Sequence, residues 1–195
     1  MYIIKNIISE IIYSFLCFFF KLCYVSTLSY PRNHVIIYNY IIQIKKIFSN
    51  LKISYFIFFG ALLGAIRQNA VAGSAKDLDI IILNYDKKKI NKLKNIFINK
   101  GYKFKQVSKH QIQFMLVNKF SCIDIYFLIC RKGKYFIKPK GFKNFYFHLS
   151  ETKNIRKKKI YDLQVNIPKN YRSLLKRLYG NTWQVPNKTN QFVIK

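Results

Sequence analysis

A single α/β (α+β) domain, with a mixed β-sheet flanked by helices, is what this sequence predicts. Three observations carry that reading. Apolar stripes at helical spacing alternate with β-branched and aromatic runs between residues 35 and 101. A glycine turn, Phe59-Gly60-Ala61, joins the first of those runs to a helix start. Further runs between 103 and 138 follow each other like an antiparallel meander. The 195 residues are 51% hydrophobic, which suffices for one core and excludes a disordered tail or a disulfide-stapled miniprotein.

Each element has its own signal. Residues 11–20 are the most apolar stretch, bounded by Glu10 and Lys21. Their length is about half a membrane span. An apolar helix over 1–28 is expected, lying at a membrane interface, packed on the domain, or serving as a short anchor. A signal peptide is the remaining alternative, with no small-residue cleavage site before Pro31. The expected location is cytoplasmic, peripheral or anchored at a membrane through that segment. Ser29–His34 reads as a loop. Ile37, Ile41, Ile44, Phe48 and Leu51 alternate spacings of four and three, so they share one helix face. Ile53–Phe59 reads as a buried strand ending at Gly60, with Ala61–Ile66 starting a helix and Asn69–Ser74 a loop. Leu78–Leu83 is a second strand. Asn84 or Asp86 caps a helix with Ile90, Leu93 and Phe97 on its core face, ended by Gly101. Strands are expected near 103–108, 112–118, 121–129 and 134–138. Residues 140–165 read as basic and irregular. A last helix spans Asn170–Tyr179, with Leu174, Leu175 and Leu178 inward and Gly180 as its stop.

Charge is extreme, with 35 Lys+Arg against 7 Asp+Glu, a formal +28. Yet 29 of those cations are Lys and only six are Arg, and they are spread along most of the chain. Arg is the residue suited to planar recognition of phosphate and bases. An AT-rich coding sequence gives this Lys, Ile, Asn, Phe and Tyr bias without any partner. Specific nucleic-acid binding is therefore not expected. Cys17, Cys23, Cys122 and Cys130 form no Cys-x-x-Cys, and the three histidines do not cluster, so free thiols in a reducing compartment are expected.

In so acid-poor a chain, the place of each carboxylate carries information. Asp77, Asp79 and Asp124 interrupt apolar strings, where a lone acid costs stability unless it is paired or binds a cation. Asp77 and Asp79 point to one side of their strand. If the strand of Asp124 lies beside theirs, three carboxylates converge, and like charges that close need a cation. Hard oxygen ligands suit Mg²⁺, with Mn²⁺ the alternative. Such ions clamp the oxygens of an in-line displacement at phosphorus. Gly60 brings backbone N–H groups to a helix start, where phosphate is favoured.

These motifs resemble the signature of the nucleotidyltransferase (DNA polymerase β-like) superfamily. Within it, Phe59-Gly-Ala-Leu-Leu-Gly-Ala-Ile-Arg67 is similar to the Gly-Thr-Leu-Leu-Gly-x-x-Arg segment of the LicD/fukutin-type family. Asp77 and Asp79 keep that family's interval after Arg67, and Tyr179-Gly-Asn-Thr-Trp183…Pro186 is similar to its closing element. The resemblance covers residues 35–187, leaving 188–195 as a tail. One departure is plain: Gly73-Ser-Ala-Lys76 stands where the family carries Pro-Trp-Asp-Asp, so Lys76 is a cation in place of an acid. The resemblance implies a metal-dependent phosphotransferase. It would move phosphocholine or a polyol phosphate from a CDP-linked donor to a hydroxyl of a cell-surface glycan or glycolipid. Asp77, Asp79 and Asp124 would hold the metal, and Asp124 would also accept the hydroxyl proton. Gly60, Ala61 and Arg67 would bind phosphate; a structural salt bridge is the other reading of Arg67. Tyr179 and Trp183 read as packing for the last helix rather than as a base platform. Two alternatives stay open: a nucleotidyltransferase adding a nucleoside monophosphate to a small molecule or protein, and a degenerate, non-catalytic basic binding module.

Overall fold

The computed structural model describes residues 31–72, 76–116, 121–140 and 143–186. Expectations for residues 1–28, for 73–75 and for the 188–195 tail lie outside the described residues. No helix among the described residues is long and apolar enough to cross a membrane.

Helix α1 (Pro31–Asn50) starts within the stretch expected as loop. Proline is tolerated in a first helical turn, where its missing N–H has no helical partner to lose. Ile37, Ile41, Ile44 and Phe48 are buried, as their spacing requires; Leu51 lies beyond the helix and is half-buried. The chain continues through β1 (Tyr55–Ile57), α2 (Phe59–Arg67), β2 (Asp77–Ile82), α3 (Lys87–Asn99), β3 (Tyr102–Ser108), β4 (Gln111–Leu116) and β5 (Cys122–Phe127). Asp86 caps α3: its Oδ1 accepts from Lys88 N at 2.9 Å and Lys89 N at 3.1 Å.

The five strands form a sheet in the order β1-β2-β5-β4-β3. All neighbours are antiparallel except β2 and β5, so the sheet is mixed. A parallel pair needs a crossover, here supplied by α3 and the β3–β4 hairpin. That crossover puts β2 and β5 side by side in the sheet interior, where apolar runs such as Ile80-Ile-Ile82 are buried. Leu78, Ile80, Ile82, Ile123 and Ile125 form one core-facing set. The alternate residues Asp77, Asp79, Cys122, Asp124 and Tyr126 belong to the other face.

The remainder corrects the expectation of an irregular 140–165. After β6 (Ile129–Arg131) and β7 (Lys134–Ile137) come β8 (Phe145–Phe147), α4 (Leu149–Lys153), β9 (Ile155–Ile160), β10 (Leu163–Pro168) and α5 (Tyr171–Tyr179). Strands β6-β7-β8 form a small sheet, and β9 with β10 a hairpin. Ile155-Arg-Lys-Lys-Lys-Ile160 looks like a solvated charge run because its cationic side chains are mostly exposed; the apolar half of the hairpin is Val165 and Ile167 on its partner. Its tight turn holds Tyr161 at φ 53°, with no glycine or Asn-Gly to announce it. Helices α4 and α5 are joined by Glu151, fully buried, whose Oε2 accepts from Arg177 at 2.5 Å and from His148 N at 2.8 Å.

Candidate active site on the polar face of the sheet

Register decides which acids meet. In the parallel β2–β5 pair, Asp79 lies opposite Asp124 and Asp77 opposite Cys122. On the far side of β5, Gln113 lies opposite Asp124 and Gln111 opposite Tyr126. All of these share the face turned away from the main core set. The Gln111 and Gln113 amides donate to the two oxygens of Asp124, at 2.9 and 3.1 Å. Tyr126 O–H donates to Asp79 Oδ1 at 3.3 Å. The Cys122 thiol lies 3.0 Å from Asp77 Oδ1 and 3.2 Å from Asp124 Oδ2. Asp77 is exposed and Asp79 half-buried, while Asp124 is only 6% exposed. The face therefore grades from solvent to interior along three carboxylates.

Sequence reasoning missed Cys122, Tyr126, Gln111 and Gln113. A signal existed for two of them: residues 122 and 126 share the parity of 124 on one strand, hence its face. The glutamines were hidden because their relevance depends on which strand lies beside β5.

The helix start also differs from expectation. The residue turned into left-handed space between β1 and α2 is Phe59, at φ 43°. A bulky residue there is strained, a feature that concentrates at functional sites. Gly60 is already helical, and Phe58, the N-cap, offers no side-chain acceptor. The first helical N–H to find a carbonyl is that of Leu62, bonded to Phe58 O at 3.1 Å. Among the described residues the N–H groups of Gly60 and Ala61 have no acceptor. They follow the point where β1 is tied to the acid-bearing strand β2, Phe58 N donating to the Asp79 backbone O at 2.9 Å.

Arg67 ends α2 and makes no salt bridge among the described residues. Its Nε is buried without a partner. Burial lowers its pKa, and the nearby Tyr179 opposes that shift. Tyr179 in turn is held protonated by burial and by the charge of Asp79. Tyr179 and Trp183 are buried in the core, in line with packing of α5. Lys76 is exposed and pairs with no acid among the described residues.

Electrostatics follow from burial among like charges. The Asp79 carboxyl titrates well above its usual range, through burial first and then the charges of Asp124 and Asp77, against the opposing Tyr126 hydrogen bond. Asp124 is raised by burial, offset by bonds from Gln111, Cys122 and Gln113. Burial and the two carboxylates keep the Cys122 thiol protonated in the metal-free chain. Raised carboxyl pKa values mean that the folded chain binds more protons than the unfolded one above pH 3.8. The metal-free protein should then lose stability as pH rises from there through the raised values. In chelator, the melting temperature of Asp79→Asn should gain on the unmutated chain as pH increases from about 4 to about 8. Parallel curves for the two proteins would show that Asp79 is not held against its charge.

The fold and the grouping of acids beside an uncapped helix define a nucleotidyltransferase-fold protein. The chain belongs to the LicD/FKTN/FKRP nucleotidyltransferase-domain family, whose model matches residues 52–170, and is in that sense a transferase domain. Similar solved structures include the antibiotic-resistance factor ANT(2'')-Ia in solution, 12% identical, covering 78% of this chain and 75% of that one with a TM-score of 0.51. Lincosamide antibiotic adenylyltransferase LnuA, lincomycin-bound, is 15% identical, covering 69% of this chain and 82% of that one with a TM-score of 0.49. ANT(2'')-Ia in complex with adenylyl-2''-tobramycin is 12% identical, covering 76% and 77% at 0.49. At such identities the likeness is one of fold. No curated protein matches the chain.

Proposed function

We propose that this chain transfers a phosphate-linked group, phosphocholine or a polyol phosphate, from a CDP-activated donor to a hydroxyl of a cell-surface glycan or glycolipid. The observation that carries the reading is the carboxylate group of Asp77, Asp79 and Asp124 on one sheet face, with the unbonded N–H groups of Gly60 and Ala61 at the helix start just after the Phe58–Asp79 backbone bond. Family membership supports transferase activity, and the CDP-linked donor and phosphate-linked cargo are our reading of the motif resemblance at Phe59–Arg67 and Asp77–Asp79. The donor set fits a divalent cation: closely grouped, mutually repelling carboxylates lack a positive partner among the described residues. When bound, the cation neutralises the donor diphosphate and the CMP that leaves. Gly60 and Ala61 hold donor phosphate oxygens through backbone N–H. Arg67, with no carboxylate partner among the described residues, adds positive charge beside Tyr179. Asp124, its proton affinity raised by burial and its plane held by Gln111 and Gln113, takes the proton of the attacking hydroxyl.

The test is release of CMP from CDP-choline or CDP-ribitol by the purified full chain, with and without Mg²⁺ or Mn²⁺. Metal-dependent CMP release is expected. Pyrophosphate release from a nucleoside triphosphate would favour nucleotidyl transfer instead. No release from any donor, with no metal-dependent rise in melting temperature, would leave a non-catalytic module.

A further inference from the structure

The face that holds the three acids also holds a donor of different chemistry. Cys122 sits on an interior strand, 7% exposed, opposite Asp77 in register and two residues from Asp124. One oxygen of Asp77, one of Asp124 and the Cys122 sulfur all lie within 4.8 Å of one another. The sulfur itself is 3.0 Å from Asp77 Oδ1 and 3.2 Å from Asp124 Oδ2. A thiol has one hydrogen to donate. That hydrogen can serve only one of those two contacts at a time. A cation at the centre of the three atoms removes that deficit. Ions bound at roughly 2.0–2.3 Å from oxygen and sulfur need ligand atoms spaced about as these are. Asp124 is further oriented by Gln111 and Gln113, the kind of outer support that fixes a metal-bound carboxylate. Asp79 is engaged by Tyr126 instead and stands outside this three-atom group.

We propose that Cys122 is a metal ligand, and that through it the Asp77–Cys122–Asp124 group takes a thiophilic divalent ion of the Zn²⁺ or Co²⁺ class in preference to Mg²⁺. The proposal deepens the metal-dependent reading of the same site. Carboxylate and water donors alone suit Mg²⁺, which demands octahedral oxygen coordination; a sulfur ligand selects a softer ion. Binding exchanges the thiol proton, released to solvent, for the ion.

The test uses the full chain with Cys17, Cys23 and Cys130 replaced by Ser, so that Cys122 is the one thiol. Titration with Co²⁺ is read by absorption. A sulfur-to-cobalt charge-transfer band saturating at one equivalent is expected, displaced by Zn²⁺ and surviving a roughly 1,000-fold excess of Mg²⁺. Adding Cys122→Ser should abolish the band and weaken Zn²⁺ binding about 100-fold. Asp77→Asn, at an exposed position, should weaken Co²⁺ binding while the thiol remains. Absence of the band in the Cys122-only chain, or its displacement by Mg²⁺, would overturn the proposal. If Cys122→Ser does not fold, Asp77→Asn decides: an unchanged Co²⁺ affinity there also overturns it. A band without CMP release from any donor would keep the ligand and remove the transferase reading; Mg²⁺-supported CMP release without a band would do the reverse.

Discussion

Asp79→Asn should lower donor turnover at least about 100-fold, roughly 3 kcal/mol on the barrier, while the domain stays folded. The substitution keeps the shape of the side chain and leaves Tyr126 O–H an oxygen to meet at position 79. What it removes is one negative charge next to Asp124 and Asp77. If that charge helps to hold the cation that neutralises the donor diphosphate, its loss appears in turnover. In the metal-free chain the same loss is favourable, because burial and two like charges oppose the ionised form of Asp79. The variant should thus be less active and, in chelator at neutral pH, more stable. Turnover is read as CMP release, stability as melting temperature. A variant that keeps full turnover would remove Asp79 from the metal site. One that is less stable in chelator would mean that a positive group not accounted for here already pairs with it.

Gly64→Ala should cost about 3 kcal/mol or more, enough to unfold much of the population of a marginal domain. A Cβ at Gly64 would meet Ala70 O, Val71 C and Ala72 N, each closer than 3.0 Å. All three are backbone atoms, so no side chain can rotate away. The backbone itself is tied down. Ala72 N donates to Gly60 O at 3.0 Å, and Val71 N to the Tyr161 hydroxyl at 3.5 Å. That hydroxyl also bonds His34 Nδ1 at 2.7 Å, and Tyr161 N donates to Asn69 O. The clamp therefore joins α1, the segment after α2 and the β9–β10 turn. Gly60→Ala is the contrast: its nearest neighbour would be Ala72 O at 3.7 Å, an ordinary contact. Alanine is also the better helix former, so stability should hold or rise by up to about 1 kcal/mol. Urea midpoints of the two variants make the comparison. Equal midpoints would show that the segment after α2 gives way to a methyl group.

Legibility in the sequence followed the range of the physics. The α1 stripe, the Asp86 cap, the apolar runs of β2 and β5 and the inward leucines of α5 each depend on neighbours within a few residues. Periodicity and capping chemistry report such neighbours directly. The basic hairpin of β9 and β10 was not legible, because only the burial of Val165 and Ile167 turns Arg156–Lys159 into the outer half of a paired structure. The glycine turn before α2 was legible, but not which residue takes a left-handed conformation there. The structure imposes it on Phe59, beside the acids.

The sequence by itself determined that Asp77 and Asp79 share a face, that an acid-poor chain keeps an aspartate within the buried run of β5, and that a helix begins just after β1. It did so because side-chain alternation is a property of one strand. Which strands lie together was decided only by the tertiary structure. The α3 and β3–β4 crossover makes β2 and β5 parallel neighbours, and their register sets Asp79 against Asp124 and Asp77 against Cys122. Partners such as Cys122 for Asp77, 45 residues apart, and Tyr126 for Asp79, 47 apart, are chosen by hydrogen-bond register across the sheet. No local pattern encodes that register, because it depends on the packing of every strand between them.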